Sequence, residues 1–63
     1  MKMGKRIKNL RQARGISQTL LAELVGLTPS AVSKIELDIN DPSLEVLRRI
    51  AVVFCLKLKI EFE

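Results

Sequence analysis

Six basic side chains and no acidic one fall within the first fourteen residues: Lys2, Lys5, Arg6, Lys8, Arg11 and Arg14. Positive charge concentrated in this way is an electrostatic footprint for a polyanion, either nucleic acid or an acidic membrane surface, and it equally suits a solvated, solubilising helix. A second polar group follows at Ser30, Ser33 and Lys34, whose spacing places them on one face of a helix. Its side chains are mostly short, which suits close approach of a partner. Catalysis has little to build on. There is no His, no nucleophile with a base at a usable spacing, no glycine-rich phosphate loop and no sequestered carboxylate pair, so the chain is not expected to be an enzyme. Without His or a second thiol no metal or other cofactor is expected. The single Cys55 lies between Phe54 and Leu56 and reads as a small core residue, with a reactive or intersubunit thiol as the alternative.

The elements must position these groups in a chain of only 63 residues. Its net charge of +4 is the sum of +6 over residues 1–14 and −2 over residues 15–63, which hold five bases against seven acids. A domain this small buries only about 60% of its unfolded surface, and one cysteine closes no internal disulfide. Oligomerisation is therefore the expected additional source of stability. The basic start is not followed by the apolar stretch of a signal peptide, because Arg11, Arg14 and Glu23 interrupt. The longest apolar run, Ile50 to Leu56, is far short of the roughly 20 residues a spanning helix needs. The expectation is a soluble, cytoplasmic protein without a membrane partner.

Periodicity divides the chain into four helices and one strand, at roughly 3–14, 18–25, 29–36, 44–54 and 56–62. Met3, Ile7, Leu10 and Ala13 make one stripe of the first helix, which Gly15 ends in a left-handed conformation. Ser17 caps a second apolar pattern at Leu20, Leu21, Leu24 and Val25, and that helix stops at Gly26. Thr28 and Pro29 open the third: threonine caps, and proline at the first helical position loses only an amide that would be unpaired anyway. Turn formers from Asp38 to Pro42 lead to Ser43, which caps a fourth helix with Leu44, Leu47, Ile50, Ala51 and Phe54 as its core side. The period then changes to two, with Leu56, Leu58, Ile60 and Phe62 alternating with Lys57, Lys59, Glu61 and Glu63.

The turn Val25-Gly26-Leu27 is too short for antiparallel packing and suits two helices crossing at roughly 90 to 120°, the helix-turn-helix unit. Ala22 is small where the helices come closest, Gly26 supplies the left-handed turn, and Leu21, Val25, Leu27, Val32 and Ile35 form the shared core. From Gly4 to Phe54 the chain resembles the phage-repressor-like helix-turn-helix family, the Xre or Cro/CI type. The resemblance runs through Arg11, Gly15-Ile16-Ser17-Gln18, Leu21-Ala22, Val25-Gly26, Val32-Ser33, Ile35-Glu36, Pro42-Ser43 and Ile50-Ala51. The ending resembles a narrower group, the HipB-type antitoxins, whose fourth helix runs into a strand that forms a two-stranded ribbon across a dimer.

That resemblance implies a mainly α fold, a compact four-helix repressor-like domain with one C-terminal β-strand in an intermolecular antiparallel ribbon. It implies a bacterial or phage regulator of transcription, a repressor that binds a palindromic operator in double-stranded DNA as a homodimer. For the subgroup it also implies a toxin partner. The third helix would be the recognition helix, with Pro29, Ser30, Ser33 and Lys34 meeting base edges in the major groove. Lys34 has the reach for guanine O6 or N7 and equally for phosphate. Gln18 and Thr28 would grip phosphate, with Lys5, Arg6 and Arg14 lining the backbone beside them. Arg11 and Glu36 match a salt bridge that orients the recognition helix rather than reading DNA. Asp38 departs from the family's usual Gly but tolerates a left-handed turn at some strain. Its neighbours Leu37 and Ile39 either pack on the fourth helix or contact another protein. The rival reading is a protein-interaction module that binds a toxin or other protein, with DNA binding secondary.

The strand carries its own pairing argument. Two copies paired antiparallel with Ile60 opposite Ile60 set Lys57 against Glu63 and Lys59 against Glu61, so every charged pair is opposite in sign. Parallel pairing, or a shift by two residues, sets like charges together. At about 0.2 to 1 kcal/mol each, such pairs select a register without holding a ribbon alone. The apolar face, Leu56, Leu58, Ile60 and Phe62, must therefore pack on helices.

Overall fold

A computed structural model describes the backbone of residues 3–62 and the side chains of residues 3–55. Four helices follow in order: α1 (Gly4–Ala13), α2 (Gln18–Val25), α3 (Pro29–Glu36) and α4 (Leu44–Phe62). α4 carries the backbone of residues 56–62 as helix where a strand is expected, while the side chains of Leu56, Lys57, Leu58, Lys59, Ile60, Glu61, Phe62 and Glu63, and with them the expected pairing, lie outside the described residues. Among the described residues no helix is long and apolar enough to cross a membrane.

Each helix start uses the chemistry available in its sequence. Ser17 Oγ accepts from Leu20 N at 3.0 Å, Thr28 Oγ1 from Ala31 N at 3.1 Å and Ser43 Oγ from Val46 N at 3.2 Å. Each hydroxyl satisfies an amide that the helix itself leaves without an acceptor. α1 differs, because Met3 precedes it without a side-chain cap.

The first three helices end in one way. Ile16 N donates to Arg11 O at 3.0 Å and Gly15 N to Gln12 O at 3.0 Å; Leu27 N donates to Ala22 O at 2.8 Å and Gly26 N to Glu23 O at 3.4 Å. This paired pattern is the Schellman motif, which needs a left-handed residue, and Gly15 (φ 68°) and Gly26 (φ 74°) supply it. At the end of α3 Ile39 N donates to Lys34 O at 2.9 Å and Asp38 N to Ile35 O at 3.1 Å, with Asp38 left-handed at φ 60°.

The core lies between the helices and comprises Ile7, Ile16, Leu21, Ala22, Val25, Val32, Ile35, Ile50 and Phe54. α3 packs on α1 and α2, and α4 packs on α2. Leu21 and Val25 are buried without remainder at the centre, Ala22 is equally inaccessible, and Leu27 packs on the edge. Ile16 follows the left-handed Gly15, where a Schellman end commonly places an apolar contact.

Three expectations need correction. Leu44 and Ala51 are exposed, while Val46 and Val53 pack against the core instead. α4 carries two overlapping apolar stripes, and the one through Val46, Ile50, Val53 and Phe54 faces inward. Cys55 is exposed rather than part of the core. Leu37 and Ile39, each 64% exposed, do not pack on α4, because the left-handed turn at Asp38 projects them outward.

Candidate nucleic-acid interface

α2 and α3 meet through Gly26, Leu27 and Thr28, with Thr28 already capping α3. Local chemistry therefore sets the start of α3 with only these three residues between Val25 and Pro29. Arg49, on α4, covers this junction: its Nη1 donates to Val25 O at 3.2 Å and its Nη2 to Glu45 Oε1 at 3.1 Å. A cation beside the last carbonyls of α2 also opposes the negative end of that helix's dipole.

The far end of α3 is held by charge. Arg11 Nε donates to Glu36 Oε2 at 2.7 Å and Arg11 Nη2 to Glu36 Oε1 at 3.1 Å, a two-pronged pair between residues 8% and 6% exposed. The guanidinium's third nitrogen, Nη1, donates to Ile16 O at 2.9 Å, and Gln18 Nε2 donates to Glu36 Oε1 at 3.0 Å. One carboxylate thus joins α1, α2 and α3. Burial alone would raise the Glu36 pKa above its ordinary 4.5; hydrogen bonds from Arg11 and Gln18, with the charges of Arg11 and Lys8, outweigh that and lower it. Glu36 is therefore ionised at neutral pH.

The helix-turn-helix family profile matches residues 7–58. That span contains the whole α2–turn–α3 unit and the clamp at Glu36. The chain belongs to the Xre-type helix-turn-helix family. The HTH-type transcriptional regulator PuuR of Escherichia coli (strain K12) is 46% identical over 55 residues, which cover 87% of this chain and 30% of PuuR. The HTH-type transcriptional regulator RamB of Mycobacterium tuberculosis (strain ATCC 25618 / H37Rv) is 40% identical over 52 residues, covering 82% of this chain and 11% of RamB. The chain thus spans less than a third of the length of these relatives. No solved structure matches it.

In this helix-turn-helix domain Pro29, Ser30 and Lys34 are exposed on α3 and Thr28 is exposed at its cap, with Ser30 and Lys34 one turn apart, while Ser33 is half-buried. Lys5 and Arg6 are exposed on α1, where they line a shallow groove with Asn9, Leu10 and Ala13. Arg14 is half-buried. Gln18 is half-buried, and its amide nitrogen is engaged by Glu36, so one of its two N–H groups is directed inward. Its other N–H and the α2 N-terminal amides remain the groups suited to an anion.

Two positions that matter here are not singled out by sequence reasoning. Gly4 is buried where α1 crosses the end of α3, and a Cβ there would overlap the carbonyl oxygens of Ile35 and Glu36. Its signal is a glycine in the first turn of a helix that otherwise lacks one. Arg49 carries only the signal of its four-residue spacing from Glu45, which points to a surface pair rather than to a contact with α2.

Proposed function

We propose that this chain is a DNA-binding module of a transcription regulator, with α3 entering the major groove of double-stranded DNA. The observation that carries this reading is the α2–turn–α3 unit, fixed at one end by Gly26 and at the other by the buried Arg11–Glu36 pair, with Ser30 and Lys34 exposed between. The names of PuuR and RamB, both HTH-type transcriptional regulators, support it. Pro29, Ser30, Ser33 and Lys34 are assigned to base edges; Gln18, Thr28, Lys5, Arg6 and Arg14 are assigned to phosphates.

The finer reading is a repressor acting as a homodimer on a palindromic operator, joined by an antiparallel ribbon of residues 56–62, which requires that segment to leave α4 when two copies pair. The small core and the exposed Leu20, Leu24, Leu44 and Val52 support association. The exposed Leu37 and Ile39 support a second reading, in which the domain also docks a protein such as a toxin.

Selection of bound sites from random duplexes tests the first reading. Two-fold-related half-sites about 10 bp apart, or a multiple of that spacing, are expected, with affinity falling steeply as salt rises. Binding without salt dependence or sequence preference overturns it.

A further inference from the structure

α1 begins badly by its own sequence. Its first turn carries Lys5 and Arg6 where the helix dipole favours acids, and Met3 gives no side-chain cap. The missing acceptor comes from 34 residues away: Gly4 N donates to Asp38 Oδ1 at 3.0 Å. Asp38 holds that position only by adopting φ 60°, where the two preceding helix ends use Gly. Glycine at 38 would relieve the strain but could not cap α1. The contact is possible because Gly4 has no Cβ, so the two backbones lie against each other.

Resting on the DNA-binding reading above, we propose that Asp38 is a positioning residue: its carboxylate caps α1 across the fold and fixes Lys5 and Arg6 beside the recognition helix. Two bases placed for phosphate weaken the start of their own helix, and a strained acid at the end of α3 offsets this while tying the two DNA-facing elements together. Asp38 itself touches no DNA.

The test compares Asp38→Gly, which keeps the left-handed turn and loses the acceptor, with Asp38→Asn, which keeps both the turn and an acceptor oxygen. Amide exchange at Gly4 reads the cap directly, and anisotropy of a labelled mixed-sequence duplex between 50 and 200 mM salt reads phosphate contacts. In Asp38→Gly, exchange at Gly4 is expected to rise about fivefold, the loss of one cap. Its salt slope is expected to fall by about one to two units, the contributions of Lys5 and Arg6. Asp38→Asn is expected to stay near wild type in both, with helical circular dichroism retained in all three proteins. Unchanged exchange in Asp38→Gly overturns the cap. Faster exchange with an unchanged slope reduces Asp38 to a structural residue and overturns the positioning role. A wild-type protein without salt-dependent binding overturns the DNA-binding reading and this proposal with it, while the exchange result still reports separately on the cap.

Discussion

Replacing Arg11 by Met should remove the largest single contribution to the orientation of α3. The change deletes both prongs onto Glu36 and the donor to Ile16 O, leaving Gln18 as the donor given to a carboxylate only 6% exposed. Stranding one partner of a buried pair costs about 3 to 5 kcal/mol. A 63-residue domain has roughly 3 to 9 kcal/mol in total, so this variant lies at the edge of unfolding. In urea, with a slope of about 1 kcal/mol/M, the circular dichroism midpoint should fall by about 3 M or disappear. The pair Arg11→Met with Glu36→Leu should recover much of the loss, because no buried charge then lacks a partner. A single-variant cost below about 1 kcal/mol, the value of a surface pair, refutes the reasoning. The same pair sets an acid limit. The lowered Glu36 pKa means the unfolded chain binds more protons between the two pKa values, so stability is present above about 4.5 and is lost as pH falls through the folded value. In Arg11→Met burial prevails and the Glu36 pKa rises above its unfolded value, so the folded chain binds the extra proton and urea midpoints should rise, not fall, as pH drops through that raised value.

Gly15→Ala meets nothing within 4 Å, so its cost is the backbone strain of φ 68°, about 1 to 2 kcal/mol by thermal unfolding. Gly4→Ala, at a position without that strain, should cost more, because Ile35 and Glu36 carbonyls occupy the Cβ space; an equal or smaller loss contradicts the close packing of α1 on α3. Lys34→Ala should weaken duplex binding; loss confined to one base position marks base reading, and a uniform loss with a salt slope lower by about one marks phosphate contact. Lys57→Glu with Lys59→Glu should weaken the dimer in sedimentation, and adding Glu61→Lys with Glu63→Lys should restore it. No change in either protein contradicts the register centred on Ile60.

The starts of α2, α3 and α4 and the ends of α1 and α2 were legible because each is decided within a few residues. Ser17, Thr28 and Ser43 cap by reaching amides three positions ahead, and Gly15 and Gly26 supply left-handed turns that side chains disfavour. Three-to-four-residue periodicity placed Leu21, Val25, Val32 and Ile35 in the core. On α4 it placed Ile50 and Phe54 correctly but not Leu44 and Ala51, because apolar residues there occupy more than one stripe and only the position of α2 selects Val46 and Val53. Of the candidate interface, residue types and family resemblance identified the exposed face of α3 and the Arg11–Glu36 pair.

The sequence by itself determined the starts of α2, α3 and α4 with their Ser17, Thr28 and Ser43 caps, the tight turn between α2 and α3, and the basic start of the chain, since those depend on neighbours in sequence. Tertiary structure alone decided what distant segments do for one another. Gln18 turns one amide hydrogen to Glu36, Arg49 closes the end of α2, and Asp38 caps α1 over a glycine with no room for a side chain. Each joins residues 18 to 34 positions apart, and a hydrogen bond at that range exists only after the core has brought its partners to about 3 Å.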